Sequence, residues 1–299
     1  MAAVESLTTK HPEEKLIPKV SIGMPVYNGE PFIRKALDSL LVQTFTDFEL
    51  IISDNASTDR TEAMCREYAL RDPRIRYVRQ SENHGVFFNF QFVLDEARGE
   101  YFMWAAADDM WDRKWIECLV KNLGPGVAIS FGHIVTVNEN GNVLRRYPYF
   151  EFGGSKLLRL SRYYLAEDYY GKANIIYGLY RRRELAAQGF RMYGGCREGQ
   201  DMVNVFKMLQ HGKIAFDRAV MLHKYRKRQL PVPSDNHSLA YYANRICRID
   251  KIKYIWSYFY ASDSLDVKLL VLTLCALKYA KVFMRNGFVS LSRLVRCWR

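Results

Sequence analysis

The sequence predicts an α/β fold in which helices flank a mostly parallel central sheet, with a helical appendage at the C-terminus. Strand-like and helix-like segments alternate over residues 20–108, and the strand-like segments are continuous apolar runs. Such runs are typical of parallel strands that are buried on both faces of a sheet. Polar residues follow each strand, at the edge where sheets of this kind bind their ligands. The sequence therefore predicts one ligand site at the carboxyl edge of the sheet.

The first strand and helix lie between residues 20 and 41. Val20–Pro25 is an apolar run that ends in a proline, and Asn28-Gly29 indicates a turn directly after it. Pro31 suits the first position of a helix. The apolar residues of 32–41 then recur at helical spacing, which predicts a helix with one buried face.

The same alternation continues to residue 109. Further strands are predicted at Phe48–Ser53, at Ile75–Val78 and in the run YFMWAA that begins at Tyr101, with helices between them. Four polar clusters follow the four strands: Tyr27-Asn28, Asp54-Asn55, the segment from Asn83 to Asn89, and Asp108-Asp109. Because each cluster follows a strand end, we expect the four to meet in space.

The second half of the chain alternates less regularly. We predict a strand at Val127–Val137, a helix over Ser155–Asp168 and a short helix at Gln200–Leu209, and the prolines of 231–234 indicate a linker. These signals divide the chain into an N-terminal tail (1–17), a main domain (18–230) and a basic, aromatic-rich, helical C-terminal region (231–299).

Composition excludes several classes of protein. With 49% hydrophobic residues, the 299-residue chain can bury a large core, which excludes global disorder. The six cysteines lack Cys-x-x-Cys zinc spacing, and a disulfide scaffold does not fit a chain of this size. Residues 1–19 lack the apolar segment of a secretory signal, and the apolar run Leu269–Leu277 is too short to span a bilayer. We therefore expect a cytoplasmic protein.

The net charge of +12 resides in the last part of the chain. Residues 1–217 hold 28 basic and 28 acidic side chains, whereas residues 218–299 hold 16 and 4. Basic residues interleaved with Trp and Tyr fit the surface of an anionic membrane, which places the protein peripherally on its inner face. The alternative is a helical appendage that packs on the main domain, or on a second subunit of a homo-oligomer. We expect no nucleic-acid partner, because no nucleic-acid-binding motif accompanies the charge.

Asp108-Asp109 is the sharpest chemical feature of the sequence. Carboxylates at a strand end can hold Mg²⁺ or Mn²⁺, which bridges protein oxygens to substrate phosphates. Glycine-rich phosphate loops are absent from the sequence, so a diphosphate ligand would need such a metal. Alternatively the pair caps a helix that starts near Trp111. Asp54 can accept hydrogen bonds from a base or a ribose, or alternatively caps the loop at Ser57.

Two stretches of the sequence resemble family 2 of the inverting nucleotide-sugar glycosyltransferases. They are PVYNGEPFIRKALDSLLVQTFTDFELIISDNASTDRT and NHGVFFNFQFVLDEARGEYFMWAAADDMW. The resemblance is close over residues 18–120 and loose over 120–225. It implies a GT-A type fold with a Rossmann-like nucleotide-binding half, a divalent metal and a nucleoside-diphosphate sugar donor.

The resemblance also implies roles for single residues. The donor would be bound by Pro25, Tyr27, Asn28, Asp54, Asn55, Asn83, Gly85 and Asp108. Within this set Asp54 would bind the base. Asp108 matches the metal-binding acid of the family's Asp-x-Asp motif, with Asp109 adjacent as a second metal ligand. The first acid of that motif is Ala106 in this chain, so the metal would have fewer protein ligands.

Inverting transfer needs a general base that removes the proton of the acceptor hydroxyl. In the family this base is the Asp of a Glu-Asp pair at a helix start, and the matching place here is Gln200-Asp201. Asp201 is therefore the predicted catalytic base, with a simple helix cap as the alternative role and Glu198 as a weaker substitute. Basic residues that could lie near the diphosphate, or form a solvated face, are His223, Lys224, Arg226 and Arg228.

The sequence thus predicts an inverting glycosyltransferase that moves a sugar, with a UDP-sugar favoured as donor, to a hydroxyl of a glycan or lipid-linked acceptor. The setting would be surface glycan or polysaccharide synthesis. The alternative is a non-catalytic sugar-nucleotide or glycan binding protein of the same fold, because Ala106 and Gln200 depart from the family pattern. A nucleotide-transferring enzyme of this fold would need a basic glycine-rich loop that the sequence lacks.

Overall fold

The computed structural model describes residues 17–138, 140–148, 152–166, 171–225, 249–278 and 280. The strands are β1 (Val20–Val26), β2 (Phe48–Asp54), β3 (Ile75–Arg79), β4 (Tyr101–Trp104), β5 (Asp109–Trp111), β6 (Val127–Val137), β7 (Val143–Arg146), β8 (Leu179–Arg181) and β9 (Lys213–Tyr225). The helices are α1 (Ile33–Leu41), α2 (Thr61–Arg71), α3 (Val86–Asp95), α4 (Trp115–Asn122), α5 (Lys156–Leu165), α6 (Arg182–Gln188), α7 (Gln200–Leu209) and α8 (Ile249–Tyr260), with a 3₁₀ helix at Lys172–Tyr177. Residues 265–278 are also helical. Residues 1–16 of the predicted tail, the linker at 231–234, Arg226 and Arg228 lie outside the described part.

The first four strands form the predicted parallel half of the sheet. Their order is β3-β2-β1-β4, and each neighbouring pair is parallel. The register aligns Val26 at the end of β1 with Asp54 at the end of β2. The carboxyl ends of these strands therefore lie on one edge, and the predicted α/β fold class, with helices around the sheet and at the C-terminus, is confirmed.

The second half of the sheet is mixed rather than parallel. Within the described residues the order continues β4-β8-β6-β9-β5, with β7 on β6. β8 runs antiparallel to both β4 and β6, whereas β9 runs parallel to β6 and antiparallel to β5. The segment after Asp108 is thus a short strand, and the next helix begins only at Trp115. This placement replaces the alternative in which the acidic pair caps a helix near Trp111.

Helix α3 packs unusually close to the sheet at Gly23. A Cβ atom on Gly23 would lie 2.7 Å from Val93 Cγ2 and 2.7 Å from the Phe102 ring. Gly23 is therefore required by close packing between the centre of β1, helix α3 and β4, which are all fully buried at this point.

The described C-terminal helices pack on the main domain. The Tyr258 ring of α8 is fully buried, with its centroid 5.0 Å from those of Tyr164 and Phe206. The buried Lys278 Nζ donates a 2.6 Å hydrogen bond to the Tyr164 carbonyl. These contacts favour the packed appendage among the alternatives for this region. No helix among the described residues combines the length and the apolar character needed to cross a membrane.

A buried carboxylate ties β1, β2 and the connection before β4 together. Glu49 accepts hydrogen bonds from Ser21 Oγ at 2.7 Å, from the Arg98 backbone N–H at 2.9 Å and from Arg98 Nη2 at 2.8 Å. Burial alone would raise the pKa of Glu49, but the bonds from Arg98 and Ser21 outweigh it and hold that pKa below its ordinary value.

Replacing Glu49 with Gln should lower the free energy of unfolding at pH 7 by about 1–3 kcal/mol, because Arg98 loses its charged acceptor while remaining half-exposed. The folded-state pKa of Glu49 is lowered, so its contribution is present above the unfolded value of about 4.3 and is lost as pH falls through the folded pKa. The free energies of unfolding of wild type and variant, measured in urea, should therefore begin to converge below about pH 4.3 and meet only below the folded-state pKa of Glu49. Glu184→Gln, at an exposed glutamate, is the control. A difference in the free energy of unfolding between wild type and Glu49→Gln that stays the same at every pH would contradict this account.

Candidate functional site

The turn after β1 and the loop after β2 are bonded into one rim. The Asn28 backbone N–H donates to Ser57 Oγ at 2.9 Å. Asn28 and Ala56 adopt φ angles of 52° and 59°, a left-handed conformation that is uncommon for residues other than glycine. Tyr27 is exposed on this rim and Pro25 is partly exposed beneath it. Strained backbone at a strand edge is a frequent property of ligand sites.

Asp54 is fully buried at the end of β2. Its Oδ1 accepts a hydrogen bond from the Ser57 backbone N–H at 2.8 Å, and its Oδ2 accepts from Tyr77 at 2.8 Å and from Arg79 Nη1 at 3.1 Å. Burial raises the pKa of Tyr77, and the hydrogen bond to Asp54 raises it further. The chain itself thus satisfies this carboxylate, so a direct contact between Asp54 and a base requires Tyr77 or Arg79 to move.

Asn55 fixes the loop that precedes α3. Its Nδ2 donates to Asn83 Oδ1 at 2.8 Å, and its Oδ1 accepts from the His84 backbone N–H at 3.0 Å. Asn83 Oδ1 also accepts from the Gly85 backbone N–H at 2.9 Å. Gly85 has φ = 85°, which glycine adopts without steric cost. The structure therefore brings together three residues that the sequence assigned to the donor.

Asp108 and Asp109 occupy different environments. Asp109 is buried on β5 and accepts a 2.6 Å hydrogen bond from Lys224 Nζ on β9. Burial alone would lower the pKa of Lys224, but the charge of Asp109 raises it above its ordinary value. Asp108 is partly exposed at the sheet edge. The predicted basic residue His223 is similarly engaged, since its Nε2 lies 2.7 Å from Asp112 Oδ1.

A divalent metal fits this edge only if substrate phosphates and water complete its coordination. In the described part of the chain, no group of three or more His, Cys, Asp or Glu side chains is placed to hold a metal. Mg²⁺ commonly takes one or two carboxylates together with substrate phosphates and water. With Asp109 bonded to Lys224 and Ala106 in place of the first acid, Asp108 offers one hard oxygen donor that would hold the ion jointly with phosphate oxygens.

Gln200 explains why this chain lacks an acid before Asp201. Its buried Nε2 donates to the Cys196 carbonyl at 2.6 Å and to the Tyr193 carbonyl at 3.2 Å, while its Oε1 accepts from the Tyr193 backbone N–H at 2.8 Å. An ionised carboxylate cannot donate and would face two carbonyl oxygens. Gln200 therefore holds the loop before α7 and so positions Asp201 at the start of that helix. Glu198 is exposed on the same loop.

Tyr177 connects the acidic pair to Asp201. Burial raises the pKa of Tyr177 to about 12, and the negative charges of Asp109, Asp108 and Asp201 raise it as well, against the lowering effect of Lys224. Lys224 Nζ lies 4.6 Å from the centroid of its ring. Because Lys224 also bonds to Asp109, and Tyr177 lines one pocket together with Asp201, strand β5 and the start of α7 converge on this ring. No sequence pattern indicates a role for Tyr177, which lies in an apolar run.

A pocket of about 280 Å³ lies beside Asp201. The side chains that give it its chemistry are Phe87, Phe90, Tyr177, Phe190, Arg197 and Asp201. Phe190 stacks against Phe87 and Phe90, with ring centroids 5.6 Å and 4.9 Å apart. The pocket therefore combines aromatic walls with one acid and one cation. Sequence reasoning missed Phe87, Phe90, Phe190 and Arg197, because loop geometry rather than local pattern brings them together.

Comparison with known sequences identifies relatives over the first half of the chain. The family model for Glycosyl transferase family 2 matches residues 21–182, which is more than half of the chain. Glycosyltransferase GlyA of Streptococcus pneumoniae is 30% identical over 168 residues, covering 56% of this chain and 22% of GlyA. The glycosyltransferase EpsJ of Bacillus subtilis is 42% identical over 94 residues, covering 31% of this chain and 27% of EpsJ. The matches thus span about a quarter of the length of these relatives.

Solved structures extend the likeness to most of the chain. S. aureus TarS 1–349 in complex with UDP superposes with a TM-score of 0.60 at 17% identity, covering 85% of this chain and 69% of that one. The mannosyltransferase PcManGT of Pyrobaculum calidifontis, solved with GDP-Man and Mn²⁺, gives 0.55 at 17% identity, with coverage of 97% and 91%. Together with the family match and the sheet topology, these likenesses show that the chain belongs to glycosyl transferase family 2 and has a GT-A type fold.

Proposed function

We propose that residues 18–230 transfer a sugar from a nucleoside-diphosphate donor to an acceptor hydroxyl, with inversion at the anomeric carbon. The observation that carries this proposal is a series of contacts: Asp109 bonds to Lys224, Lys224 lies 4.6 Å from the centroid of the Tyr177 ring, and Tyr177 lines the same pocket as Asp201. It supports one site that combines a carboxylate for a phosphate-bound metal with a carboxylate for proton removal. A UDP-sugar is the favoured donor, because TarS was solved with UDP and with UDP-GlcNAc.

The donor is proposed to lie along the rim at the carboxyl edge of the sheet. The nucleoside would contact Pro25, Tyr27 and Asn28 on one side and the loop of Asn83 and Gly85, held by Asn55, on the other. Hydrogen bonds between these loops fix the rim before any ligand binds. This lowers the entropic cost of binding, because the loops need not be ordered by the ligand. The diphosphate would then extend toward Asp108.

The chemistry assigns a distinct task to each charged group. Asp201 accepts the proton of the acceptor hydroxyl as its oxygen bonds to the anomeric carbon. The bond from that carbon to the diphosphate oxygen breaks, and its electron pair leaves with the nucleoside diphosphate. Asp108 would hold a bound Mg²⁺ or Mn²⁺ ion, and such an ion would neutralise the charge of the leaving diphosphate. Lys224 neutralises the buried Asp109, so that this carboxylate does not repel the diphosphate.

Asp201→Asn should lower the rate of sugar transfer by about 10²–10⁴-fold while leaving nucleotide binding unchanged. An asparagine Oδ1 can still accept the 2.9 Å hydrogen bond that the Met202 backbone N–H donates to Asp201, so the fold is preserved. Nucleoside-diphosphate release is measured with UDP- and GDP-sugars, Mn²⁺ and a panel of acceptor glycans.

Glu198→Gln is the matched control, since Glu198 is an exposed acid on the same loop. Equal turnover by wild type and Asp201→Asn would contradict the assigned base. Wild-type protein that binds donors and consumes none of them would favour the alternative of a non-catalytic sugar-nucleotide or glycan binding protein, which Ala106 motivates.

We also propose that Asp54 contacts the base once Tyr77 or Arg79 moves aside, so Asp54→Asn should weaken UDP binding by about tenfold or more. A bound ligand stabilises the folded state by mass action, so the measurement is the rise in Tm on adding UDP with and without Mn²⁺. Asp72→Asn, which removes a carboxylate bonded to Arg74 outside the site, is the control. If the variant without UDP has a lower Tm than wild type, and UDP still raises the Tm of both by the same amount, Asp54 serves only to hold Ser57, Tyr77 and Arg79.

We further propose that the C-terminal region contacts an anionic membrane on its inner face, where a lipid-linked or surface-glycan acceptor would be met. Leu265, Leu269 and Leu272 are 72%, 54% and 39% exposed along one face of the helical residues 265–278, whereas Val267 and Val271 are buried against the domain. An exposed leucine stripe in a strongly basic region fits an interfacial helix. A second subunit of a homo-oligomer is the other partner for this face.

The triple variant Leu265→Ser, Leu269→Ser, Leu272→Ser should lose flotation with vesicles of anionic lipid, because it removes the apolar area that would enter the interface. Leu70→Ser, at an 89% exposed leucine on α2, is the control. Truncation of the region is unsuitable because Tyr258 is buried against Phe206. Unchanged flotation would contradict membrane contact, and a loss of dimers in the triple variant would favour the second subunit.

A further inference from the structure

The pocket beside Asp201 has walls suited to a sugar ring. Phe87 and Phe90 are partly exposed and stack against the buried Phe190, and Tyr177 also lines the pocket. The C–H face of a pyranose is apolar and is buried favourably on an aromatic ring. A volume of about 280 Å³ accommodates one monosaccharide unit with its hydroxyl groups. The walls therefore orient a single sugar residue next to the carboxylate of Asp201.

Arg197 gives this pocket a charge that neutral sugar recognition does not need. Arg197 lines the pocket from an exposed loop, and it forms no ion pair with any residue that the structure describes. Gly199, with φ = 68°, turns the chain between Arg197 and Asp201 so that both line the same pocket. A guanidinium without a carboxylate partner in the described protein is available to a ligand, and its planar fork matches carboxylate and phosphate groups.

The position of Arg197 favours the acceptor over the donor as its ligand. In inverting transfer the acceptor hydroxyl attacks from the face opposite the departing diphosphate, so a cation beside the base lies on the acceptor side. The donor end has its own charged groups in Asp108, Asp109 and Lys224, and among these Lys224 is already bonded to Asp109. Arg197 therefore adds positive potential where the acceptor binds.

We propose that the acceptor is a sugar that carries an anionic substituent, either a uronic acid carboxylate or a phosphate ester, and that Arg197 determines this specificity. The proposal rests on the function proposed above and names its acceptor class. Arg197 binds the anionic group, the wall of Phe87 and Phe90 supports the ring, and Asp201 receives the proton of the attacking hydroxyl. Arg197 takes no part in bond breaking, so its loss affects acceptor affinity and not the chemical step.

The test compares matched acceptors that differ only at C6. The probes are p-nitrophenyl β-glucoside, β-glucuronide and β-glucoside 6-phosphate, with the same three forms in the galacto series, at saturating donor. Nucleoside-diphosphate release above the acceptor-free rate is measured. We expect an acidic member to be used at least about tenfold more efficiently than its neutral partner, through a lower KM. Whichever of the glucuronide and the 6-phosphate acceptor is used more efficiently identifies the anionic group as a carboxylate or a phosphate.

Arg197→Gln should raise the KM for the acidic acceptor by about tenfold and abolish the preference, with kcat and the UDP response of Tm unchanged. Arg191→Gln, which removes an exposed arginine that does not line the pocket, is the matched control and should keep the preference. Equal use of neutral and acidic acceptors, or a preference that persists in Arg197→Gln, would overturn the acceptor assignment alone. No consumption of any donor in any arm would instead refute the proposed function.

Discussion

Parallel pairing of β1 with both β2 and β4 is the constraint on which the site depends. It buries these strands on both faces, so the polar residues that a ligand can reach lie at or beyond the strand ends, and it brings those ends to a common edge. Polar groups next to a buried core need hydrogen-bond partners, and here they bond to one another. Asn28 bonds to Ser57, and Asn55 bonds to Asn83. The result is a rim whose shape is fixed by hydrogen bonds within the chain, and a ligand meets it already formed.

The mixed half of the sheet places the charged groups of the candidate site. Strand β9 pairs with β5 so that Lys224 lies opposite Asp109, and a carboxylate buried at that depth requires such a partner. The same lysine lies over Tyr177, which ends the 3₁₀ helix before β8. Charge at the sheet edge is thereby divided between a neutralised pair inside and Asp108 at the surface. That division suits a diphosphate, which binds poorly to two uncompensated carboxylates.

The parallel half could be predicted because its signals are local: continuous apolar runs, turn residues after them and helical spacing between them. The Gln200–Leu209 helix was predicted with the bounds that the structure shows. Strands β5 and β8 have three residues each, too few for any periodicity, and only their partners define them. The same reason applies to Tyr177 and Arg197, whose roles depend on residues distant in sequence. For Asp54 the sequence predicted a place at the edge, but not that Tyr77 and Arg79 occupy its carboxylate.

The C-terminal helices are part of the architecture of the site, because α8 contacts the start of α7 directly. Gln200 Nε2 lies 3.3 Å from Ser257 Oγ, and Ser257 Oγ donates to the Tyr193 carbonyl at 2.9 Å. Tyr254 packs over Gly199, where any side chain would collide with its ring. The loop that carries Arg197 is thus held between α7 and α8. A surface contacted by the exposed leucines of 265–278 would therefore be linked through one packed unit to Asp201, so an acceptor anchored at that surface would reach this proposed base at a constant distance from the surface.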